Sequence, residues 1–286
     1  MKMSARRVLR YTGLALSAAC ALGLTGCVKN GGGSGGSGST GGSGGSGTTP
    51  ADYIYLSHNW SLTATPTKGG STTPYTVSGV IDEQPGSNAS HYVTSVLQIG
   101  SPCYDGANIV PADGSVNGAR IQTSSFDVAG QVMSLDAQKD STATHLTGVY
   151  TISGGCANGE AGTISGQAYA ALSGTYVGSV AGQPGETITL NVNQELLGTG
   201  VGTFVVSGTA RFSGISCFTQ GTLGVTNAYV RGGAVVLQFA TNEPQGSQVS
   251  LNGTIDAAAK TFNVTSGAVT GGACAASLGN IALTKQ

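Results

Sequence analysis

The sequence is poor in charge. Asp, Glu, Lys and Arg make up 9% of it, far below the usual quarter. Aromatic residues are scarce at 6%, with a single Trp, and there are only three His. No Cys-x-x-Cys spacing occurs among the six Cys, which argues against a structural zinc site. No apolar run reaches the roughly 20 residues that a membrane-spanning helix needs. The longest, residues 13–24, spans twelve. The basic surplus that nucleic-acid binding requires is also missing. Once the four basic residues of the first ten are set aside, 8 Lys and Arg face 13 Asp and Glu. The remaining chain is acidic, and neither a nucleic-acid partner nor a polybasic membrane patch fits it.

What is present begins at the N-terminus. Lys2, Arg6, Arg7 and Arg10 form a basic leader without acidic residues, and GLALSAACALGL follows at 13–24. A charged start, a short apolar centre and small residues at the end describe a secretory signal. The signal closes on Leu24-Thr25-Gly26-Cys27. These four residues resemble the bacterial lipobox, an apolar residue and two small ones before a cysteine. The resemblance identifies residues 1–26 as a lipoprotein signal peptide. It implies cleavage between Gly26 and Cys27, a diacylglycerol on the Cys27 thiol and an acylated amino group. Several acyl chains anchor firmly where one is marginal. Cys20 is a poorer candidate, because Ser17 stands where the pattern wants an apolar residue. Val28 after the lipidated cysteine, in place of aspartate, directs such lipoproteins to the outer membrane by similarity to enteric sorting.

Residues 31–47 contain only Gly, Ser and one Thr. Such a tract has no side chains to offset the entropy of ordering. Residues 27–52 are therefore read as a lipidated Cys with a disordered Gly/Ser tether, whose reach over its 25 steps is roughly 25–30 Å. Its chance matches to Gly-x-Ser-x-Gly carry nothing, since that motif needs a strand-turn-helix context.

After residue 50 the helical period gives way to the period of a strand. Ile188, Leu190 and Val192 alternate with Thr189, Asn191 and Asn193, and Val235, Leu237 and Phe239 share one face. Period-two alternation marks antiparallel strands with one buried face. Gln84-Pro85-Gly86, Gln183-Pro184-Gly185 and Glu243-Pro244-Gln245-Gly246 punctuate them as turns. The chain also repeats itself. Gly100-Ser-Pro-Cys103-Tyr104 resembles Gly214-Ile-Ser-Cys217-Phe218, Gly154-Gly155-Cys156 resembles Gly271-Gly272-Ala273-Cys274, Gly162-Thr-Ile164 resembles Gly279-Asn-Ile281, and Trp60-Ser-Leu-Thr resembles Tyr176-Val-Gly-Ser. Val77-Ser-Gly against Val206-Ser-Gly breaks this register. The expected fold is all-β: two tandem antiparallel barrel-like or sandwich-like repeats, 53–171 and 172–286. Barrel and sandwich stay open at this point. Each repeat holds one early and one late Cys, so the pairing expected in an oxidising compartment is Cys103–Cys156 and Cys217–Cys274.

Chemistry is harder to find. His145 sits on the wet face of an alternating strand, and no signature selects a Ser-His-Asp triad. Asp82-Glu83 are adjacent, so a strand sends them to opposite faces, and they read as a solvated strand end. The loop from Asp105 through Asn108 and Asp113 to Gly118 offers oxygen ligands for calcium without the regular calcium-loop pattern; Asx-turns explain the same residues. Tyr53, Tyr55 and Trp60 read as a core plug at the first strand, with sugar stacking as the alternative. The mature region resembles other β-rich bacterial lipoproteins in tether, cysteines and composition, and no activity comes with that resemblance. The expectation is a membrane-anchored, non-enzymatic envelope module, binding, adhesive or structural, with a protein or glycan partner and no cofactor. The alternatives are a calycin-like carrier with an apolar cavity in each barrel, and a cell-surface hydrolase.

Overall fold

The computed structural model describes residues 53–56, 58–86, 90–183, 185–215, 220–224, 227–241, 248–271 and 275–286. About two thirds of these residues lie in β-strands, with one 3-10 turn at Pro102–Tyr104 and no α-helix among the described residues. The alternative left open by the sequence resolves in favour of two closed barrels.

The first barrel is a plain meander of eight strands: β1 (Asn59–Lys68), β2 (Tyr75–Gln84), β3 (Ser90–Ile99), β4 (Ile109–Asn117), β5 (Arg120–Ser125), β6 (Val132–Lys139), β7 (His145–Ser153) and β8 (Ala161–Ala168). Each pairs antiparallel with the next, and β8 returns to β1 from Trp60↔Ala168 to Lys68↔Ala161. Closure removes the open edges on which a sheet would aggregate. The second barrel uses β9 (Ser173–Ser179), β10 (Thr187–Gly198), β11 (Phe204–Ser213), β12 (Gln220–Leu223), β13 (Tyr229–Arg231), β14 (Ala234–Thr241), β15 (Gln248–Ile255), β16 (Thr261–Thr270) and β17 (Ala276–Lys285). The short β12 and β13 share one stave, each pairing with β11 on one side and β14 on the other. β10 pairs with β11, and the barrel closes where β17 meets β9 at Thr284↔Val177 and Lys285↔Tyr176.

Alternation fills each interior. Trp60, Leu62, Val77, Tyr104, Tyr150 and Ile164 belong to one buried cluster. Tyr176, Ile188, Phe212, Phe239, Phe262 and Ile281 belong to a second. Burying one such large side chain contributes about 1.5–3 kcal/mol, so each barrel has a core of its own. Two of the sequence anchors fall on equivalent strands: Trp60 in β1 and Tyr176 in β9, Ile164 in β8 and Ile281 in β17, all buried.

The register break at Val-Ser-Gly has a local cause. Gly79 and Gly208 adopt φ of +154° and +146°. A Cβ on Gly79 would lie 2.2 Å from the Val96 carbonyl oxygen, and one on Gly208 would lie 2.0 Å from that of Asn191. Both glycines let neighbouring strands approach where the sheet bends. The tripeptide marks a bend in β2 and another in β11, which are not equivalent strands.

The stretch 105–118 is not the loop expected from its polar residues. From Ile109 it runs as β4, with Val110, Ala112 and Val116 buried. Asp113 is a mid-strand residue paired with Thr94 and Ser124.

Candidate functional site

On β2 the residues Tyr75, Val77, Ile81 and Glu83 share the core face. Parity therefore drives a carboxylate into the mouth of the first barrel, and the solvated strand end expected for Asp82-Glu83 holds only for Asp82. The Glu83 side chain is fully buried. Its carboxylate accepts hydrogen bonds from the Tyr53 hydroxyl, the Leu56 backbone N–H at 2.9 Å and Lys139 Nζ at 3.1 Å, and His91 Nδ1 lies 2.8 Å away. Lys139, itself nearly buried, also donates to the Ile54 carbonyl at 2.8 Å and the Tyr53 oxygen at 2.9 Å, and its ammonium sits 4.1 Å from the Tyr53 ring centre. Tyr55 stacks on the His91 ring at 5.2 Å between centroids, and Tyr53 meets that ring edge-on at 4.1 Å.

Burial alone would raise the Glu83 pKa. The hydrogen bonds from Tyr53, Leu56, Lys139 and His91 outweigh it and hold the carboxyl below its ordinary value. Burial, then the bond to Glu83, pushes the Tyr53 hydroxyl above its usual range. This constellation pins the strap 53–56 across the barrel mouth. Its polar groups are mutually satisfied, and it is a clip in which no reactive pair is left facing solvent.

The opposite end of the same barrel repeats the device. Glu160 is buried and accepts from Tyr75 Oη at 2.7 Å, Tyr150 Oη at 2.9 Å and the Ser71 N–H at 2.7 Å. Burial raises both phenols, Tyr150 to about 12. Cys103 and Cys156 are joined in a disulfide beside it. Gln131 donates to the Cys103 carbonyl at 2.8 Å and accepts from the Ala157 N–H at 2.9 Å. Between the two ends the interior cavity measures about 20 Å³, bordered by Leu62, Val77, Leu97, Val110, Leu135 and Ile164. That admits one water and no organic ligand.

The two barrels meet through Asn59. Its buried amide donates to the Gly232 carbonyl at 3.0 Å and accepts from the Gly232 N–H at 2.6 Å. Alongside, the β10–β11 hairpin lies on the outer face of β2 and β3. A Cβ on Gly198 would overlap Val80, at 2.2 Å from its Cγ2. Next to this contact the ladder bulges: Gln194 pairs with Val206 and Gly198 with Phe204, which leaves Glu195, Leu196 and Leu197 opposite Val205 alone. Bulges redirect side chains, and here both leucines turn out to solvent. They border a cleft of about 250 Å³ with His58, Val80, Asp82 and Val96. His58 Nδ1 lies 3.0 Å from Asp82 Oδ1.

A second concavity of about 440 Å³, of mixed polar and apolar lining, crosses the outside of β4–β7, bordered by Asp113, Gln122, Ser124, Ser134, Val149 and Thr151. Arg120 grips Asp136 with two hydrogen bonds of 2.9 and 2.6 Å at its margin.

The remaining sequence candidates scatter. Cys27, Cys217 and Cys274 lie outside the described residues. Asp105 ends the 3-10 turn, the Asn108 carbonyl accepts from the Ile99 N–H, and Asp113 stands on β4. No group of three or more His, Cys, Asp or Glu among the described residues is placed to hold a metal ion. His145 is exposed, as its strand parity requires, and meets Asp140 and Thr144 through the same Nδ1 atom. A triad needs carboxylate and hydroxyl on opposite ring nitrogens. Of the three aromatics near the first strand, Trp60 is core, whereas Tyr53 and Tyr55 remain partly exposed on the strap. The buried Glu83, Glu160 and Gln131 escaped sequence reasoning, although strand parity carried the signal for both glutamates.

No protein-family model, curated protein or solved structure matches the chain, so its own geometry carries the functional reading.

Proposed function

We propose that the protein is a lipid-anchored, non-enzymatic binding module of the cell envelope, which takes its partner on the outside of two packed barrels. The observation that carries this reading is the filled interior. The first barrel leaves about 20 Å³ inside, against the several hundred that a small-molecule site requires. Larger concavities lie on outer surfaces, among them the groove across β4–β7 and one of about 430 Å³ bordered by Asn191, Thr209, Arg211, Gln220 and Thr222 on the second barrel. Asp113, Gln122, Ser124 and Ser134 give the groove hydrogen-bonding groups suited to a glycan or a polar protein surface. The Cys27 anchor and the Gly/Ser tether supply display at a membrane, by the lipobox resemblance, with the outer membrane as the favoured site. The described His145 meets its carboxylate and hydroxyl neighbours through one ring nitrogen, and His91 is engaged by the buried Glu83, which is why a hydrolase is the weaker reading.

Native mass spectrometry tests the filled interior. The mature chain with Cys27→Ala, purified from an envelope extract, is expected at its polypeptide mass. A stoichiometric apolar adduct released on denaturation would establish the calycin-like carrier instead.

A further inference from the structure

Nine large apolar side chains stand exposed among the described residues, and seven of them lie on the strap, on β3 and on the β10–β11 hairpin that packs against β2 and β3. Tyr53, Ile54 and Tyr55 lie on the strap that follows the tether. Tyr92, 62% exposed, is next to His91 on β3, the residue on which Tyr55 stacks. Leu196 and Leu197, 76% and 78% exposed, project from the bulge beside the cleft, and Val201 sits at the turn of the same hairpin. The cleft connects these groups, since it is bordered by Thr94, two residues from Tyr92 on the same face of β3, and by both leucines. Lys139 and His58, the basic groups on this face, are already engaged by Glu83 and Asp82. His91 is likewise held by Glu83, so among the described residues on this face the exposed side chains are mainly apolar and aromatic, with Glu195 as the exposed carboxylate of the bulge.

We propose that this face is a membrane-docking surface, whose occupant is the interface of the bilayer that carries the anchor. The argument is where the chain outside the structure ends. Twenty-five steps separate Cys27 from Asp52, a reach of roughly 25–30 Å, and they lead to Tyr53, beside His91 and Tyr55 on this face. A domain held on so short a tether samples the bilayer surface at high effective concentration, and the face nearest the tether meets it first. Tyr and Leu are the side chains that settle at the boundary between headgroups and acyl chains. Two consecutive leucines extruded by a bulge suit shallow insertion, and with Lys139, His58 and His91 each engaged by a carboxylate the docking does not depend on anionic lipid. The inference rests on the anchored reading above and gives it an orientation: strap and hairpin toward the bilayer, the groove across β4–β7 left free.

The test uses the mature chain with Cys27→Ala, so that no acyl chain contributes, floated with phosphatidylcholine vesicles through a density gradient. Co-flotation is expected, and replacing part of the lipid with phosphatidylglycerol should not strengthen it. The double variant Leu196→Ser/Leu197→Ser should lower the partition coefficient at least about tenfold. Phe126→Ser, at the disulfide end, should leave it unchanged. Both variants alter exposed residues, and an unchanged melting temperature verifies their folding. The proposal is overturned if the protein does not float, if the double serine variant floats equally well, or if light scattering shows a dimer that the double variant abolishes, which would make a second copy the occupant. The mass of the wild-type N-terminus is read separately. A lipidated wild type whose Cys27→Ala form does not float removes the docking surface and keeps the anchor. An unlipidated wild type whose variant still floats does the reverse.

Discussion

Glu83 shows how much one residue can hold. It is a buried carboxylate with two basic side chains, a phenol and a backbone amide converging on it. Removing one side of such an arrangement leaves the other buried and unpaired, which costs about 3–5 kcal/mol. Glu83→Gln should therefore lower stability at neutral pH by that order, through Lys139. The wild type should also lose stability in acid. The folded carboxyl lies below its ordinary 4.5, so its contribution is complete above that value and disappears as pH falls through the lower folded value. Thermal melting followed from pH 7 to pH 3 checks this: the wild-type curve should descend below about 4.5, and that of the Gln variant should be lower at pH 7 and flatter. The residue was readable in principle. Tyr75, Val77 and Ile81 alternate, and Glu83 continues their parity. The Pro-Gly turn that follows made it look like a strand end. Glu160 continues the parity of Gly162 and Ile164 in the same way. What no sequence pattern displays is the convergence on Glu83 of residues 27 to 56 positions away, because only barrel closure brings β2, β3, β6 and the strap together.

Among elements, the legible features were those written in local periodicity. The alternation in β10, β14 and β16 became strands with buried faces as expected. The polar stretch 105–118 misled, because Asp113 and Asn117 on the outer face of β4 drew attention away from Val110, Ala112 and Val116 on the inner one. Val-Ser-Gly misled as well, since it encodes a bend required by strand approach and recurs wherever a barrel needs one. Pairing between the first and last strand of each barrel has no local signature, which is why barrel and sandwich could not be separated. The cysteines did mark an element-level link. Cys103 follows β3 and Cys156 follows β7, so their bond ties two loops across one end of the barrel. It spans 53 residues, and the chain-entropy argument gives about 4 kcal/mol for such a loop. Urea unfolding of the Cys103→Ser/Cys156→Ser variant should show a loss of that order. An unchanged midpoint would mean that Glu160, Tyr75, Tyr150 and Gln131 hold this end unaided.

The whole molecule is two packed barrels of the same architecture joined through Asn59 and a hairpin laid across the junction. Its duplication was visible in a handful of anchors, and its strand starts keep that spacing: Asn59 and Ser173, Tyr75 and Thr187, Val132 and Gln248. The interior of the first barrel is filled to about 20 Å³, and the Glu83 and Glu160 clusters are engaged at its two ends. What the protein does therefore depends on which outer surfaces are presented and on where the chain is held. In the proposed reading residues 1–26 are removed, Cys27 is acylated, and the Gly/Ser tract would hold the barrels near a membrane. The most direct measurement is the mass of the N-terminal tryptic peptide of the native protein. The account predicts Cys27-Val28-Lys29 carrying a diacylglycerol on sulfur and an acyl group on the amine. An unmodified Cys27, or a peptide running unbroken through Gly26-Cys27, would contradict it.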